Sequence, residues 1–247
     1  MKDSDKSKPK AETKEPPAWL EKAKKNAAHE AVEHVKDGFV IGLGSGSTAA
    51  YAIQEIGKLT RKNKWHILGV PTSHQAFQLA VKNRIPITTL DEHPRPSLTI
   101  DGADQIDPDL NLIKGMGGAL TREKLVASAS KLNIIIADET KLTKKLGTNQ
   151  PVPVEVLPMA VALAQTRIKQ LKGTPVLREC KGKVGAAVTD NGNYILDVDF
   201  GPITNPKELD KMLKLLPGVV ETGLFIETTD IVFVGTPSHV HRFTRKK

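Results

Sequence analysis

Short apolar runs alternate with amphipathic segments through the first 140 residues of the chain. Runs such as Phe39–Leu43 and Asn133–Ala137 are typical of buried strands, because they are short, continuous and rich in branched side chains. Segments between such runs, for example Trp19–Val35, repeat their apolar residues at helical spacing. Alternating strands and helices predict an α/β fold, with a mostly parallel sheet and helices on both of its faces.

The same reasoning gives bounds for the other elements of this region. Pro86 interrupts the hydrogen-bonding pattern of one predicted strand, which is therefore expected at a sheet edge. The further helices are predicted over Ala49–Ile56, Ser73–Lys82 and Ala119–Ser130, and the further strands over His66–Val70, Ile85–Thr88 and Ser97–Ile100.

The pattern changes after Gly147 and predicts a small α+β unit with antiparallel pairing. Its strands Val184–Thr189 and Tyr194–Asp199 are joined by Asp-Asn-Gly-Asn, a strong hairpin signal. Two later strands could return to the first sheet. The helices of this region are predicted over Pro158–Leu171 and Pro206–Leu216, and the two later strands over Leu224–Ile226 and Ile231–Val234.

Composition adds limits to this picture. The chain has 247 residues, 39% of them hydrophobic, and no apolar run long enough to span a bilayer, so we expect no membrane association. Residues 1–17 are rich in Lys, Glu, Pro and Ser and predict a disordered tail without a secretory leader. With a single cysteine, Cys180, an internal disulfide is excluded and a cytoplasmic location is the simplest expectation.

The net charge of +8 raises the question of nucleic-acid binding. The basic residues are scattered, acids interrupt most of their runs, and aromatic residues for base stacking make up only 4% of the chain. We therefore expect no nucleic acid as a partner, and a positive charge that attracts small anions instead.

The segment Gly44–Thr48 (GSGST) lies between a predicted strand and a predicted helix. Backbone N–H groups and the helix dipole make such a turn a binding site for anions. It contains no P-loop lysine, and its glycine spacing and the Pro-Thr-Ser end of the next strand do not fit a dinucleotide site. A single phosphate, held by amides and the hydroxyls of Ser45, Ser47 and Thr48, fits this turn; a plain tight turn is the alternative.

The stretch Thr99–Lys124 brings acids, a lysine and glycines together after a buried strand. Ligands of open α/β sheets bind beyond the carboxyl ends of the strands, so an acid and base cluster at this point favours chemistry over surface solvation. A carboxylate can take a proton next to a carbonyl group, and a cation such as Lys114 can stabilise the resulting enediolate. The anion turn at Gly44–Thr48 and this acid and base cluster together predict a reaction on a small phosphorylated metabolite.

Metal binding is not expected in this chain. The spacing Asp101-x-x-Asp104-x-x-Asp107 lacks the glycine and terminal glutamate of a calcium loop. His29 and His34 share a helix but are five residues apart, which places them on different faces. Asp107 and Asp109 are interpreted as loop solvation.

Several motifs in order make the chain resemble type A ribose-5-phosphate isomerases over nearly everything from residue 20 onward. The motifs are GSGST at 44–48, DGAD at 101–104, KGMGGALTREK at 114–124, ADETK at 137–141, PVPVEV at 151–156, VTDNGNYILD at 188–197 and PGVVETGLF at 217–225.

The resemblance implies reversible interconversion of D-ribose 5-phosphate and D-ribulose 5-phosphate through an enediol(ate), without metal or cofactor. Glu123 would move the proton between C1 and C2. Asp101 and Asp104 would handle hydroxyl protons and help to open the furanose ring, and Lys114 would stabilise the oxyanion. The residues that would hold the substrate and its phosphate are Ser45, Gly46, Ser47, Thr48, Asp101, Gly102, Ala103, Asp104, Lys114, Gly115, Met116, Gly117 and Lys141.

The resemblance also implies an architecture and an assembly. It predicts a Rossmann-like catalytic domain of residues 18–146 and 223–247, an inserted α+β domain of residues 147–222, and a homodimer or homotetramer. Three positions depart from the usual family pattern: Ser45 replaces Thr, Gln105 replaces Glu, and Met116 interrupts a glycine run.

Two other functions compete with an isomerase. A sugar-phosphate sensor on a related fold would need the anion turn but not Asp101, Asp104, Lys114 and Glu123 together, so the complete set favours the enzyme. A nucleic-acid-binding protein is motivated by the net charge alone.

Overall fold

The computed structural model describes residues 17–180, 182 and 184–245, so the predicted tail, apart from Pro17, lies outside the described residues. The α-helices are α1 (Ala18–Val32), α2 (Ser47–Asn63), α3 (His74–Lys82), α4 (Leu120–Ala129), α5 (Val161–Gln170) and α6 (Pro206–Lys214). The strands are β1 (Val40–Leu43), β2 (Leu68–Pro71), β3 (Leu98–Gly102), β4 (Gln105–Ile106), β5 (Leu112–Ile113), β6 (Asn133–Asp138), β7 (Val152–Val156), β8 (Thr174–Leu177), β9 (Tyr194–Asp199), β10 (Val219–Thr222), β11 (Leu224–Phe225), β12 (Ile231–Gly235) and β13 (Val240–Thr244).

The largest sheet has six strands in the order β13-β12-β6-β3-β1-β2. Five strands are parallel to one another, and β13 pairs antiparallel with β12 at one edge. The prediction of a mostly parallel sheet is therefore confirmed. The apolar pattern does not predict β13, because its sequence VHRFT is short and largely exposed.

Helices cover both faces of this sheet, as predicted. Successive side chains of β6 point to opposite faces of the sheet. Ile134 and Ile136 pack into a core with α1, α2 and α3. Ile135 and Ala137 point the other way and pack into a core with Leu120 of α4. A strand buried on both faces needs a continuous apolar sequence, which explains the run Asn-Ile-Ile-Ile-Ala.

The four-stranded sheet is antiparallel, in the order β10-β7-β9-β8. Together with α5 and α6 it encloses a second core, which contains Val154, Ile168 and Leu213. We propose that residues 147–222 form the smaller α+β domain, and this separate core supports that division. Ile113 and Leu224, from outside that range, also contribute to this core.

Three predictions about strands need correction. Val184–Thr189 is not a strand; it takes part in two isolated bridges, Ala186 to Glu179 and Val188 to Tyr194. Residues 196–199 of β9 pair with β8 instead. Ile85–Thr88 contributes only the bridge from Ile87 to Gly69 beside β2. The segment predicted at Leu224–Ile226 does not return to the first sheet, because β11 joins β5 in a three-stranded sheet of order β11-β5-β4.

The reason for the hairpin error is visible in the sequence of β8. Its Thr-Pro-Val-Leu pattern contains a proline that an edge strand tolerates but that weakens a prediction from sequence. The predicted turn is nevertheless present, since the N–H of Thr189 donates to the carbonyl oxygen of Asn193 at 2.9 Å. Residues 178–187 separate this turn from β8 along the sequence.

Among the described residues, no helix has both the length and the apolar character that crossing a bilayer requires.

The contact between α1 and β12 is unusually close. Ala23, Ala27 and Ala31 form the fully buried side of α1, and small side chains let the helix approach the sheet. A Cβ atom added at Gly235 would lie 1.9 Å from the carbonyl oxygen of Ala23. Glycine at the end of β12 is therefore a packing requirement.

We expect Gly235→Ala to lower the free energy of unfolding by about 3 kcal/mol, because helix and strand must move apart. Denaturation with guanidinium chloride measures the loss. Gly117→Ala is the matched control, since nothing lies within 4 Å of a Cβ added there. Its effect should stay within about 0.5 kcal/mol. Equal stability of the two variants would show that the close contact is not a constraint.

Candidate active site

The carboxyl ends of β1, β2, β3 and β6 meet along one edge of the parallel sheet. A cavity of about 540 Å³ opens at this edge. Every residue that the resemblance assigns to substrate or catalysis lines the cavity, with the exception of Asp101. The lining residues of that set are Ser45, Gly46, Ser47, Thr48, Gly102, Ala103, Asp104, Lys114, Gly115, Met116, Gly117, Glu123 and Lys141.

Lys114 joins two carboxylates in a buried ionic cluster beside the cavity. Its Nζ lies 3.1 Å from Oδ2 of Asp101 and 3.3 Å from Oε1 of Glu123. The same Nζ donates to the carbonyl oxygen of Gly102 at 2.6 Å. The three charged side chains are each at most 6% exposed. The structure thus brings together three residues that are spread over 22 positions of the sequence, from 101 to 123.

Asp101 lies behind the cavity wall, near the end of β3. Its Oδ1 accepts hydrogen bonds from the N–H groups of Ser45 and Gly102, at 3.0 and 2.7 Å. The anion turn comes very close to it, because a Cβ at Gly44 would lie 2.3 Å from Oδ1 of Asp101. Glycine at position 44 therefore serves this contact, and Asp101 connects the ionic cluster to the turn.

Glu123 lies in the first turn of α4, where its carboxylate is buried. While Oε1 faces Lys114, Oε2 is buried and has no hydrogen-bond partner among the described residues. An unpartnered carboxylate oxygen beside a cavity can accept a proton from a bound ligand. Glu123 therefore has the position that a general base requires.

Burial controls the protonation of this cluster. It raises the pKa of Glu123 to about 8, although Lys114 opposes the shift. It also raises the pKa of Asp101, against Lys114 and the N–H donors of Gly102 and Ser45. Burial alone would lower the pKa of Lys114, but the carboxylates of Asp101 and Glu123 outweigh it and raise that pKa. Lys114 stays charged, and Glu123 exchanges its proton near neutral pH.

Asp104 and the glycine loop, residues 114–118, form another side of the cavity. Oδ2 of Asp104 accepts from the N–H of Met116 at 3.0 Å. The loop closes on itself through the N–H of Gly118, which donates to the carbonyl oxygen of Gly115. Met116 is 41% exposed. Its side chain therefore fits where a glycine would be expected.

The anion turn leads into α2 as predicted. The helix begins at Ser47, and its N-cap Gly46 provides no side-chain hydrogen bond to the first amides. Those amides remain for a ligand. The hydroxyl of Ser45 contacts Thr72 at 2.8 Å and also reaches Ser73, so it is partly engaged by the end of β2.

Sequence reasoning missed two basic residues of the cavity wall. Lys24 of α1 reaches the turn, where its Nζ donates to Oγ of Ser47 at 3.1 Å. No sequence signal separates Lys24 from its neighbours Lys22 and Lys25 on the same helix. Arg178, after β8, comes from the smaller domain, together with Asp190 of the turn before β9. Their nearness depends on contacts between the two cores, which sequence spacing does not reveal.

Of the two aspartates interpreted as loop solvation, Asp109 is exposed, in line with that interpretation, but Asp107 has a different role. Asp107 is 9% exposed, and its Oδ1 accepts from the N–H groups of Asp109 and Asn111. It shapes a tight turn and is not a solvated loop residue. Within the described ranges, no group of three or more His, Cys, Asp or Glu side chains is arranged to hold a metal ion.

Comparisons with known proteins agree with this geometry. The family model described as ribose 5-phosphate isomerase A (phosphoriboisomerase A) matches residues 68–239. The ribose-5-phosphate isomerase A of Thermococcus kodakarensis is 44% identical over 227 residues, which cover 92% of this chain and 99% of that protein. The one from Thermosynechococcus vestitus is 48% identical, covering 87% of this chain and 92% of the relative.

Solved structures show the same fold. Ribose 5-phosphate isomerase A from Methanocaldococcus jannaschii matches with a TM-score of 0.88 and 43% identity, covering 91% of this chain and 99% of that one. A D-ribose-5-phosphate isomerase in complex with phospho-erythronic acid matches with a TM-score of 0.89 and 42% identity, covering 92% and 99%. The predicted α/β fold with an added antiparallel sheet is confirmed. The chain belongs to the ribose 5-phosphate isomerase A family.

Proposed function

We propose that this chain is an aldose–ketose isomerase that interconverts D-ribose 5-phosphate and D-ribulose 5-phosphate. One observation carries the proposal: the buried Glu123 and Asp101 share Lys114 beside a cavity that also has an anion turn. A proton-transfer site and a phosphate site within one cavity fit a small sugar phosphate. A related structure that contains phospho-erythronic acid, a phosphorylated sugar acid, supports the same ligand class.

The phosphate binds at the positive end of the cavity. The first amides of α2, the hydroxyls of Ser47 and Thr48, and the charge of Lys24 converge there. Lys141, in the short 3₁₀ turn after β6, adds a second cation to the wall. These groups hold the end of the substrate that does not react and orient the carbonyl end toward Glu123.

Proton transfer takes place at the other end. Glu123, ionised, removes the proton from C2 of the open aldose and returns it to C1, through an enediolate. Lys114 is charged and stabilises the negative charge that develops on the substrate oxygen. Asp104, which lines the cavity, exchanges the hydroxyl protons and assists ring opening. Asp101, behind the cavity wall, acts on the substrate through its ion pair with Lys114.

A sugar-phosphate sensor remains the competing function. It requires the phosphate groups but has no use for a buried carboxylate whose pKa is raised to about 8. Perturbed carboxyl groups in clefts are characteristic of catalytic sites. The enzyme is therefore favoured, and loss of turnover without loss of binding distinguishes the two functions.

We also propose that the chain forms a homodimer or homotetramer and works in the cytoplasm. Exposed apolar side chains at Leu157, Met159 and Leu163, in and just before α5, support an assembly. Light scattering of the purified chain tests it, since a monomeric mass would contradict it.

Glu123→Gln should abolish isomerisation while it preserves binding. The amide keeps the shape of the side chain but cannot accept the C2 proton, so kcat should fall by about 10⁴-fold. A coupled assay with ribose 5-phosphate gives the rate, and calorimetry gives the dissociation constant. A variant with near wild-type turnover would refute the assignment of the base.

The activity should rise with pH. A base must be ionised to act, and the pKa of Glu123 in the free protein is about 8. We expect kcat/KM to increase about tenfold per pH unit up to that value and then level off. Rates measured between pH 6.5 and 9.5 give the profile. A flat profile over this range would contradict Glu123 as the titrating base.

Lys24→Ala should weaken phosphate binding without an effect on the chemical step. Loss of one charge-assisted contact should raise KM by about tenfold, with kcat within about threefold of wild type. Lys25→Ala is the matched control, because Lys25 is the next residue and lies outside this cavity, over the ring of Tyr51. Equal effects of both substitutions would exclude a specific role for Lys24.

A further inference from the structure

Arg178 is a charged residue of the cavity wall to which the proposed mechanism gives no task. It follows β8 in the smaller domain, and its side chain is 14% exposed. Nε and Nη2 of its guanidinium donate to the two carboxylate oxygens of Asp197 in β9, at 2.8 and 2.5 Å. A two-point contact between planar groups fixes the orientation of the guanidinium as well as its position.

The remaining nitrogen of the guanidinium points at the glycine loop. Nη1 donates to the carbonyl oxygens of Gly115 and Met116, at 3.0 and 3.1 Å. The carbonyl oxygen of Gly115 also accepts from the N–H of Gly118. Arg178 therefore binds the loop at two successive peptide groups, from outside, and strengthens the turn that the loop makes.

The glycine loop connects the peptide groups that Arg178 binds to the proposed catalytic side chains. Lys114 immediately precedes the two bound peptide groups, and its Nζ holds Asp101 and Glu123. The carbonyl group of Gly115 and the N–H of Met116 belong to one peptide group; Arg178 binds its oxygen, and its N–H donates to Oδ2 of Asp104. The orientation of this peptide group therefore links Arg178 to the carboxylate of Asp104. A loop rich in glycine has many conformations available, so an outside contact that selects one of them has a large effect.

We propose that Arg178, fixed by Asp197, is a positioning residue that holds the glycine loop in its reactive conformation. The smaller domain thereby contributes to catalysis through two backbone carbonyl groups, without contact with the reacting atoms. This inference rests on the proposed isomerase function. It assigns a task to the pair Arg178–Asp197 that differs from phosphate binding and from simple stabilisation of the β-sheet.

Three variants test the proposal. Arg178→Met removes the donors and retains much of the apolar stem, Asp197→Asn releases the guanidinium, and Arg178→Lys keeps the charge but cannot form both the paired contact and the two loop contacts. Arg167→Met is the control, because Arg167 lies on α5 and, in the part of the chain that the structure describes, the hydrogen bond of its guanidinium goes only to the exposed side chain of Gln170.

We expect Arg178→Met to lower kcat by about 100-fold, because catalytic groups displaced by about 1 Å lose that much rate. KM should change by less than about threefold, since the phosphate groups lie at the other end of the cavity. Asp197→Asn should lower kcat too, but by a smaller factor. Arg178→Lys should recover less than about a tenth of the kcat that is lost in Arg178→Met. Arg167→Met should equal wild type.

Amide hydrogen exchange provides a readout that does not depend on activity. In Arg178→Met, the amides of the peptide covering residues 114–119 should exchange about tenfold faster, whereas those of residues 44–50 should not change. Thermal unfolding is measured alongside for each variant. If wild type lacks isomerase activity, the proposed function fails, yet the exchange experiment still decides whether Arg178 orders the loop.

Other results would overturn the proposal. A raised KM with unchanged kcat would make Arg178 a direct ligand of the substrate. Full activity of Arg178→Lys would show that charge alone matters. Unchanged exchange of the loop, or faster exchange throughout the protein with a lower melting temperature, would show that the pair does not act on the loop specifically.

Discussion

The burial of Lys114 between Asp101 and Glu123 is the interaction on which the rest of the site depends. Charges removed from water are costly unless they are paired and hydrogen-bonded, and one lysine cannot fully offset two carboxylates. Burial is the main cause that raises the pKa of Glu123 to about 8; the charge of Lys114 opposes this shift, and the charges of Asp101 and Asp104 add to it. Burial next to a second carboxylate thereby produces a base of useful strength. A cluster optimised for stability alone would pair its charges evenly.

The parallel sheet makes this cluster possible. It places the ends of β1 and β3 side by side, so that the amide of Ser45 reaches Asp101 across 56 positions of sequence. The small three-stranded sheet brings Lys114 to the same place, because the N–H of Lys114 donates to the carbonyl oxygen of Gly223. Rigid elements therefore hold the charges on several sides. The smaller domain adds Arg178, which lines the cavity beside the glycine loop.

Sequence patterns predicted the parallel sheet and its helices. The motifs that carry the family resemblance contain Asp101, Asp104, Lys114 and Glu123, and the structure brings these residues together. These features are local: a buried strand is apolar along its length, and acids or glycines follow its end. The pairing of β8 with β9 and of β11 with β5 was not predicted, because strand pairing depends on distant neighbours. Val184–Thr189 was predicted as a strand because its own sequence does not show that it lacks a continuous pairing partner. Lys24 and Arg178 became visible only in three dimensions.

The sequence by itself determined the family, the fold class and the types of chemical group available, since ordered motifs and periodicity are properties of the chain. Only the tertiary structure decided which groups meet. It placed Asp101 behind the cavity wall, left Oε2 of Glu123 without a partner among the described residues, and brought Arg178 to the glycine loop. Burial, charge pairing and pKa depend on distances between residues far apart in the chain. Those distances arise only when the sheets and helices pack.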